Sequence, residues 1–427
     1  MNTPVNRQRA PQRACVVHVE LPSALKPQSH GVVNRRTTEL QLEEAVNLAD
    51  ALALEVLHSE GITLSRVNPR TLIGSGRVEM LAATIADLQV DVVIVNTRLT
   101  PTQQRNLELD LKTKVIDRTG LILEIFGDRA RTHAGRLQVE LAALTYQQSR
   151  LVRTWTHLER QRGGLGKTGG PGERQIELDR RMIRTRIKAI KDELAEVEKT
   201  RALHRKARTK AGLPSVALVG YTNAGKSTMF NALVGDASIA QDMLFATLDP
   251  LMRKMTLPNG REIILSDTVG FISDLPHELV EAFHATLEEV SLADLLIHVH
   301  DGSSDDAPEQ DRDVKGVLKS LGADKIPVID VCNKMDLMEN NLSLVQGLEC
   351  SALTGKGVPE VLAAIEEHFA AGEAEYIFTI PAADGKRIAW LHAHGDVTDM
   401  QLEETNYIVK VRLSEEDANI FRQLMAR

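Results

Sequence analysis

The sequence predicts an α/β protein: a small N-terminal α/β domain, an antiparallel helical arm, a second α/β domain whose mostly parallel sheet carries helices on both faces, and a small C-terminal α+β domain. Three observations predict it. Apolar strand-like runs alternate with helix-spaced stretches early in the chain, Leu and Ile then recur at 4,3 spacing through two long segments, and the unbroken apolar run 216–219 leads through a glycine-containing loop into the helix-like 229–234.

Composition bounds the rest. At 427 residues with 43% hydrophobic content the chain can bury two or three cores. Cys15, Cys332 and Cys350 show no secretory pattern and point to a reducing cytosol. With no run of about 18 apolar residues and no signal-like start, nothing is expected to span a membrane. The net charge of −8 argues against a general nucleic-acid coat, and DNA is not an expected partner.

Residues 1–12 are polar and Arg-rich and read as a disordered tail. The N-terminal domain, 13–135, reads as a strand at 15–19, a helix over 37–60, a helix at 77–88, a strand at 91–95, a helix at 101–111 opened by Pro101, and a strand at 115–117. This alternation implies a parallel sheet. Gly74-Ser75-Gly76-Arg77 opens one helix, and a tight helix-starting turn accounts for it better than an anion site; no base-reading motif beside it supports a second nucleotide.

From Arg136 the pattern changes. Leu137, Leu141, Leu144, Gln148, Leu151, Trp155 and Leu158 form one heptad seam, and Ile176, Ile183, Ile187, Ile190, Leu194 and Val197 form another. Two such helices should fold back as an antiparallel coiled-coil arm, 136–212, with a Gly-rich tip loop at 160–175. Residues 151–212 hold seventeen Lys/Arg against eight Asp/Glu, about +9, while the remaining residues sum to about −17. A charged helix face in solvent would explain basic residues alone. The glycine tip together with the imbalance favours RNA contact through Arg160, Arg162, Gly163, Gly164, Lys167, Gly170, Pro171, Gly172 and Arg174. A basic linker, 201–210, follows.

The third part, 213–371, carries ordered nucleotide motifs. Gly220, Tyr221, Thr222, Asn223, Ala224, Gly225, Lys226 and Ser227 fit G-x-x-x-x-G-K-[ST], with Thr228 next. The glycines let backbone N–H groups curl around phosphate, Lys226 brings charge to the β- and γ-phosphates, and Ser227 is placed to ligate Mg²⁺. Strand 326–331 runs into Asn333, Lys334, Met335 and Asp336, the N-K-x-D guanine reader. Asp336 can accept from guanine N1–H and the 2-amino group; adenine offers neither and leaves the carboxylate unpaired, at a cost of about 1–3 kcal/mol or more. Ser351, Ala352 and Leu353 read as the last guanine loop. Strand 263–266 ends in Asp267, Thr268, Val269 and Gly270, where Asp267 would hold Mg²⁺ through water and the Gly270 N–H would sense the γ-phosphate. Within Phe245, Ala246, Thr247, Leu248 and Asp249, Thr247 would ligate Mg²⁺ only with GTP bound. A GTP-hydrolysing P-loop GTPase domain follows, with Lys226, Thr247 and Gly270 as catalytic candidates.

Residue 271 is Phe where Ras-like GTPases carry the water-orienting Gln, so intrinsic hydrolysis should be slow or completed from outside this loop. Residues 275–283 read as the helix after the second switch, with His277 and His284 as surface residues rather than catalysts. The last part, 372–427, reads as strand 376–380, helix 385–394, strand 407–413 and helix 415–425.

Gly74-Ser75-Gly76, the run 115–123, Gly163-Gly164, Gly170-Pro171-Gly172-Glu173 and the loop 220–227, in register over about residues 15–370, resemble the HflX group of the Obg-related translational GTPases. The resemblance implies a cytosolic, Mg²⁺-dependent GTPase that binds the large ribosomal subunit, places its arm tip near the peptidyl-transferase centre and dissociates stalled or idle ribosomes. It is also similar in having a hydrophobic residue at 271. It departs from the group at Lys167-Thr168-Gly169-Gly170 and at Arg174. A monomer is expected. The competing reading is a signalling switch whose arm binds a protein without RNA. Asn223 has two readings: a K⁺ ligand, as in some GTPases without the Gln, or a turn cap through its side-chain amide.

Overall fold

The computed structural model describes residues 11–22, 28–29, 32–33, 36–161, 171–210, 213–235, 244–245, 247–248, 250–273, 279, 283–338, 344–371 and 373–425. Strand β1 (Arg13–Glu20), apolar and buried along its middle, lies inside an all-parallel sheet ordered β4-β1-β5-β6, with β4 at Glu55–Thr63, β5 at Val92–Val95 and β6 at Lys114–Asp117. The short strands β2 (Gln28–Ser29) and β3 (Val32–Val33) pair antiparallel as a separate two-stranded sheet. The single helix expected over 37–60 is instead α1 (Thr38–Asp50) followed by β4. Ala53 turns the chain at φ +54°, Leu54 N–H donates back to Ala49 O at 3.3 Å, and residues beyond pair with β1.

Helix α2 (Ser75–Leu88) begins at Gly74, and α3 (Pro101–Leu111) begins with a reciprocal cap between Thr100 and Gln103. The chain then turns from β6 straight into α4 (Arg118–Arg129), capped by Asp117 Oδ1 accepting from Gly120 N–H at 2.9 Å.

The arm is α5 (His133–Gln161) and α6 (Pro171–Lys210). Leu137, Leu141 and Ile190 are buried, and Ile183, Ile187, Leu194 and Val197 are half-buried among largely exposed neighbours, which is the heptad seam at work. Arg186 grips both oxygens of Glu140, at 2.7 and 2.8 Å. The arm roots on the N-terminal domain through Asp117, which accepts from Tyr146 Oη at 2.6 Å and pairs with Arg150 at 3.2 Å. The helices run further than expected. Arg160 lies in the last turn of α5, Pro171, Gly172 and Arg174 open α6, and the basic segment 201–210 continues α6 instead of forming a linker. Arg162, Gly163, Gly164, Lys167 and Gly170 lie outside the described residues.

The central sheet has the order β12-β11-β10-β7-β9-β8. Its strands are β7 (Ser215–Gly220), β8 (Leu251–Thr256), β9 (Glu262–Asp267), β10 (Leu295–Asp301), β11 (Val328–Asn333) and β12 (Leu348–Glu349), with only β8 antiparallel to its neighbour. Helices α7 (Lys226–Val234), α8 (His284–Ser291), α9 (Ala307–Ser320) and α10 (Val358–Ala370) accompany it. Most of the helix expected over 275–283, including His277, lies outside the described residues; Leu279 and Phe283 are buried, and α8 starts at His284.

The last 50 or so residues form β13 (Glu373–Pro381), α11 (Gly385–His394), β14 (Asp396–Glu403), β15 (Asn406–Ser414) and α12 (Glu415–Met425), around Phe378, Ile380, Leu391, Val409, Val411 and Phe421. The expected strand-helix-strand-helix order thus lacked β14. That strand is an edge of the antiparallel sheet β13-β15-β14, so its polar residues need not be buried. Among the described residues no helix is long and apolar enough to cross a membrane.

Candidate nucleotide site

The site assembles where β7, β9, β10 and β11 end side by side. Val216, Ala217, Leu218 and Val219 are fully buried, so β7 is a fixed rail that delivers Gly220 and the loop to the sheet edge. Gly225 has φ +88°, and a Cβ there would lie 2.2 Å from Asn333 Nδ2. The N-K-x-D loop therefore rests directly on the 220–227 loop, and only glycine allows it. Asn333 is the fastener: its Nδ2 donates to Ala224 O and its Oδ1 accepts from Ala352 N–H, each at 2.9 Å. With both amide ends taken by backbone, it ties three loops together.

Around the base position, Lys334 Nζ bonds Asp301 Oδ2 at 2.8 Å, Met335 N–H donates to Cys350 O, and Ser351 Oγ donates to Asp336 Oδ1 at 2.5 Å. Asp336 itself is exposed, leaving Oδ2 to face solvent or a ligand edge. Leu353 is 77% exposed.

At the other end, Ser227 Oγ, Thr247 Oγ1 and Asp267 Oδ2 converge at 2.6 to 2.8 Å from one another. Asp267 Oδ1 is buried with no hydrogen-bond partner, and burial raises the Asp267 pKa although Ser227 and Thr247 donate to it. An underpaired buried carboxylate beside two hydroxyls is the hard-oxygen donor set that Mg²⁺ takes, so the residues fit that ion. Lys226 Nζ donates to Tyr221 O at 2.7 Å, and burial pushes its pKa down to about 8. A Cβ at Gly270 would lie 2.9 Å from that ammonium and 3.0 Å from Thr222 Cα, so the second switch passes hard against the loop.

Phe271 is 1% exposed and belongs to the apolar core, and its backbone zips the two loops together: Phe271 N–H donates to Gly220 O at 3.1 Å and Thr222 N–H to Phe271 O at 2.7 Å. Thr268 Oγ1 donates to Leu218 O, Val269 and Leu248 are buried, and Ala246 and Asp249 lie outside the described residues. Asn223 is exposed at φ +61°, with no side-chain hydrogen bond among the described residues. Thr228 continues α7.

Four residues of the N-terminal domain, Arg36, Glu44, Arg118 and Phe126, join this site from afar. Arg118 Nη2 donates to Glu44 Oε1 at 2.8 Å and to Ser273 O at 2.9 Å; Glu44 also receives Tyr221 Oη at 3.0 Å; and Arg36 donates to Tyr221 Oη at 2.9 Å while pairing with Asp306 and Asp313. Burial would raise the Glu44 pKa, but Arg118 and Arg36 outweigh it and hold the carboxylate ionised. Phe126 receives Phe245 edge-on at 4.8 Å and Phe283 at 5.1 Å, one ring from each switch region. Only long-range folding brings these residues together; within the sequence each is an ordinary α-domain residue.

Comparison with known proteins follows the same division. Residues 39–127 match the family described as "GTP-binding GTPase N-terminal", 129–208 "GTP-binding GTPase Middle Region", and 215–334 "50S ribosome-binding GTPase". The chain is 49% identical over 411 residues to the protein named GTPase HflX of Magnetococcus marinus, covering 94% of this chain and 93% of that one. It is 45% identical over 388 residues to GTPase HflX of Caldanaerobacter subterraneus subsp. tengcongensis, covering 90% of each. To GTPase HflX of Escherichia coli K12 it is 44% identical over 355 residues, covering 81% and 83%.

Proposed function

The chain belongs to the HflX family of GTPases, and from that membership we propose that it uses GTP to dock its arm on the large ribosomal subunit and to dissociate stalled or idle ribosomes. The observation that carries the reading is Phe126. It sits on α4, touches a ring from each switch region, and residues 130–132 link its helix directly to the arm helix α5. A change in either switch therefore has a packed route to the arm.

In this reading Asp336 reads guanine, Asn333 fastens the loops, and Ser351, Ala352 and Leu353 close the base pocket. Lys226 neutralises the β- and γ-phosphates, and the N–H of Gly270 contacts the γ-phosphate. Ser227 and Thr247 would hold Mg²⁺ directly and Asp267 through water, and the ion would supply positive charge against the phosphates. Phe271 supplies no polar group, so the residues at hand do not orient the attacking water. The charge of about +9 on residues 151–212 suits phosphate-rich RNA, and the tip residues are the proposed rRNA contacts. Cytosolic location follows from the same reading.

The test is the fate of intact ribosomes on a density gradient after incubation with this protein and GTP. A shift from whole ribosomes to separated subunits with GTP, and none with GDP, supports the proposal. A protein that leaves ribosomes intact in both nucleotides, yet hydrolyses GTP, favours the signalling switch.

A further inference from the structure

The face of the central sheet beneath α9 carries a second cluster of ligand-type side chains that the nucleotide site does not use. His298 and His300 lie two residues apart on β10 and so share a face, and Asp330 on β11 is the register partner of His298. Asp311 reaches down from α9. His298 and His300 are 1% and 4% exposed.

The ligand atoms lie close enough for small shifts to bring them onto one ion. His300 Nε2 is 2.9 Å and His298 Nδ1 3.2 Å from Asp330 Oδ1, and His298 Nδ1 is 3.6 Å from Asp311 Oδ1. One ligand atom from each of the four residues lies within 4.8 Å of every other. A tetrahedral ion with bonds of about 2.0–2.1 Å separates its ligand atoms by about 3.3 Å.

Ion pairing among these groups leaves two atoms unexplained. His298 Nδ1 and Asp311 Oδ1 are buried, face each other, and make no hydrogen bond of acceptable geometry. The second oxygen of Asp311 is already held by Lys315 Nζ at 2.9 Å, which aims Oδ1 inward. Burial lowers the His298 pKa, which favours the neutral imidazole a metal requires. Two neutral imidazoles, two carboxylates and one divalent cation sum to zero charge, the cheapest state for a buried cluster.

We propose that His298, His300, Asp311 and Asp330 bind one zinc-type divalent cation as a closed, four-ligand structural site. Mixed nitrogen and oxygen ligands select against Mg²⁺ and Ca²⁺, which take oxygen shells. The ion would clasp α9 to β10 and β11. It thereby steadies both the helix whose Asp306 and Asp313 hold Arg36 and the strand that ends in Asn333.

The experiment strips the full chain with a chelator, restores excess Mg²⁺ and GDP, and titrates Zn²⁺ against a chromophoric competitor, with Co²⁺ as a spectroscopic probe. Uptake of one equivalent with tetrahedral Co²⁺ absorption, and affinity reduced by at least about tenfold in both His300→Gln and Asp311→Asn, is the expected result. GDP affinity and far-UV dichroism report that the variants are folded, and Asp311→Asn is a near-isosteric change on α9 should the histidine variant fail. No stoichiometric uptake by the unmodified chain, full uptake retained by either folded variant, or a thiolate band placing Co²⁺ on a cysteine would overturn the site.

Discussion

Tyr221, one residue past the first glycine of the phosphate loop, donates its hydroxyl to Glu44 Oε1 at 3.0 Å, across the boundary between the nucleotide-binding and N-terminal domains. Ser273 N–H closes the link by donating to the same hydroxyl at 2.8 Å. One phenol thus touches the loop that holds phosphate, the segment after the second switch, and a carboxylate gripped by Arg118 and Arg36.

The two ends of that bond should not cost the same. Tyr221→Phe removes the hydroxyl's hydrogen bonds with Glu44, Arg36 and the Ser273 N–H but leaves Glu44 with its arginines, about 1–3 kcal/mol. Glu44→Ala takes the shared carboxylate from two buried guanidinium groups, about 3–5 kcal/mol, although Arg36 keeps Asp306 and Asp313. Thermal midpoints of the GDP-bound proteins should fall in that order. An equal or reversed order would mean that the carboxylate is not the centre of the network.

The proposed function assigns base selection to Asp336, whose Oδ1 is taken by Ser351. Asp336→Asn replaces an acceptor by an amide that can donate to the 2-carbonyl of xanthine. Binding should shift from GDP toward XDP by at least about tenfold, the loss of one good charged hydrogen bond. Unchanged GDP affinity in the variant would remove Asp336 from the base pocket.

The phosphate end is pH-dependent in a stated direction. Burial pushes the free protein's Lys226 down to about 8, while a bound polyphosphate favours the charged ammonium. The bound form therefore holds more protons than the free form above that pH, and affinity must fall as pH rises. GDP affinity should weaken by about tenfold between pH 7 and 9. A flat profile across that range would show that Lys226 stays charged without nucleotide.

These motifs were legible because each is contiguous: a P-loop or N-K-x-D needs no tertiary partner to be recognised, and the arm's heptads announce their own seam. Glu44, Arg118 and Phe126 were not, since their meaning lies in contacts 177, 155 and more than 100 residues away along the chain. Strand β4 was hidden for a local reason. The chain leaves α1 through Ala53 at positive φ, a position usually marked by glycine, so no punctuation separated helix from strand. Thr247 shows the intermediate case: its motif was readable, but its approach to Asp267 at 2.7 Å depends on where the fold carries the loop.

Asn223 offers a test of how hydrolysis proceeds with Phe at 271. Its side chain is exposed, and a K⁺ ion ligated there would add charge of the kind an arginine finger supplies, worth about 10³–10⁵ in rate. GTP turnover at fixed ionic strength should rise when Na⁺ is replaced by K⁺, and Asn223→Ala should erase the difference with GTP binding nearly unchanged. Equal rates in both salts, with and without ribosomes, would reduce Asn223 to a turn residue.

The central claim is that GTP brings the arm onto the large ribosomal subunit, and cosedimentation tests it most directly. The full chain should pellet with isolated large subunits in a non-hydrolysable GTP analogue and remain mostly free in GDP. A chain lacking residues 163–172 should keep its basal GTP hydrolysis but lose subunit dissociation, because the phosphate machinery lies far along the chain from the tip. Equal pelleting in both nucleotides, or full dissociation by the shortened chain, would contradict the account.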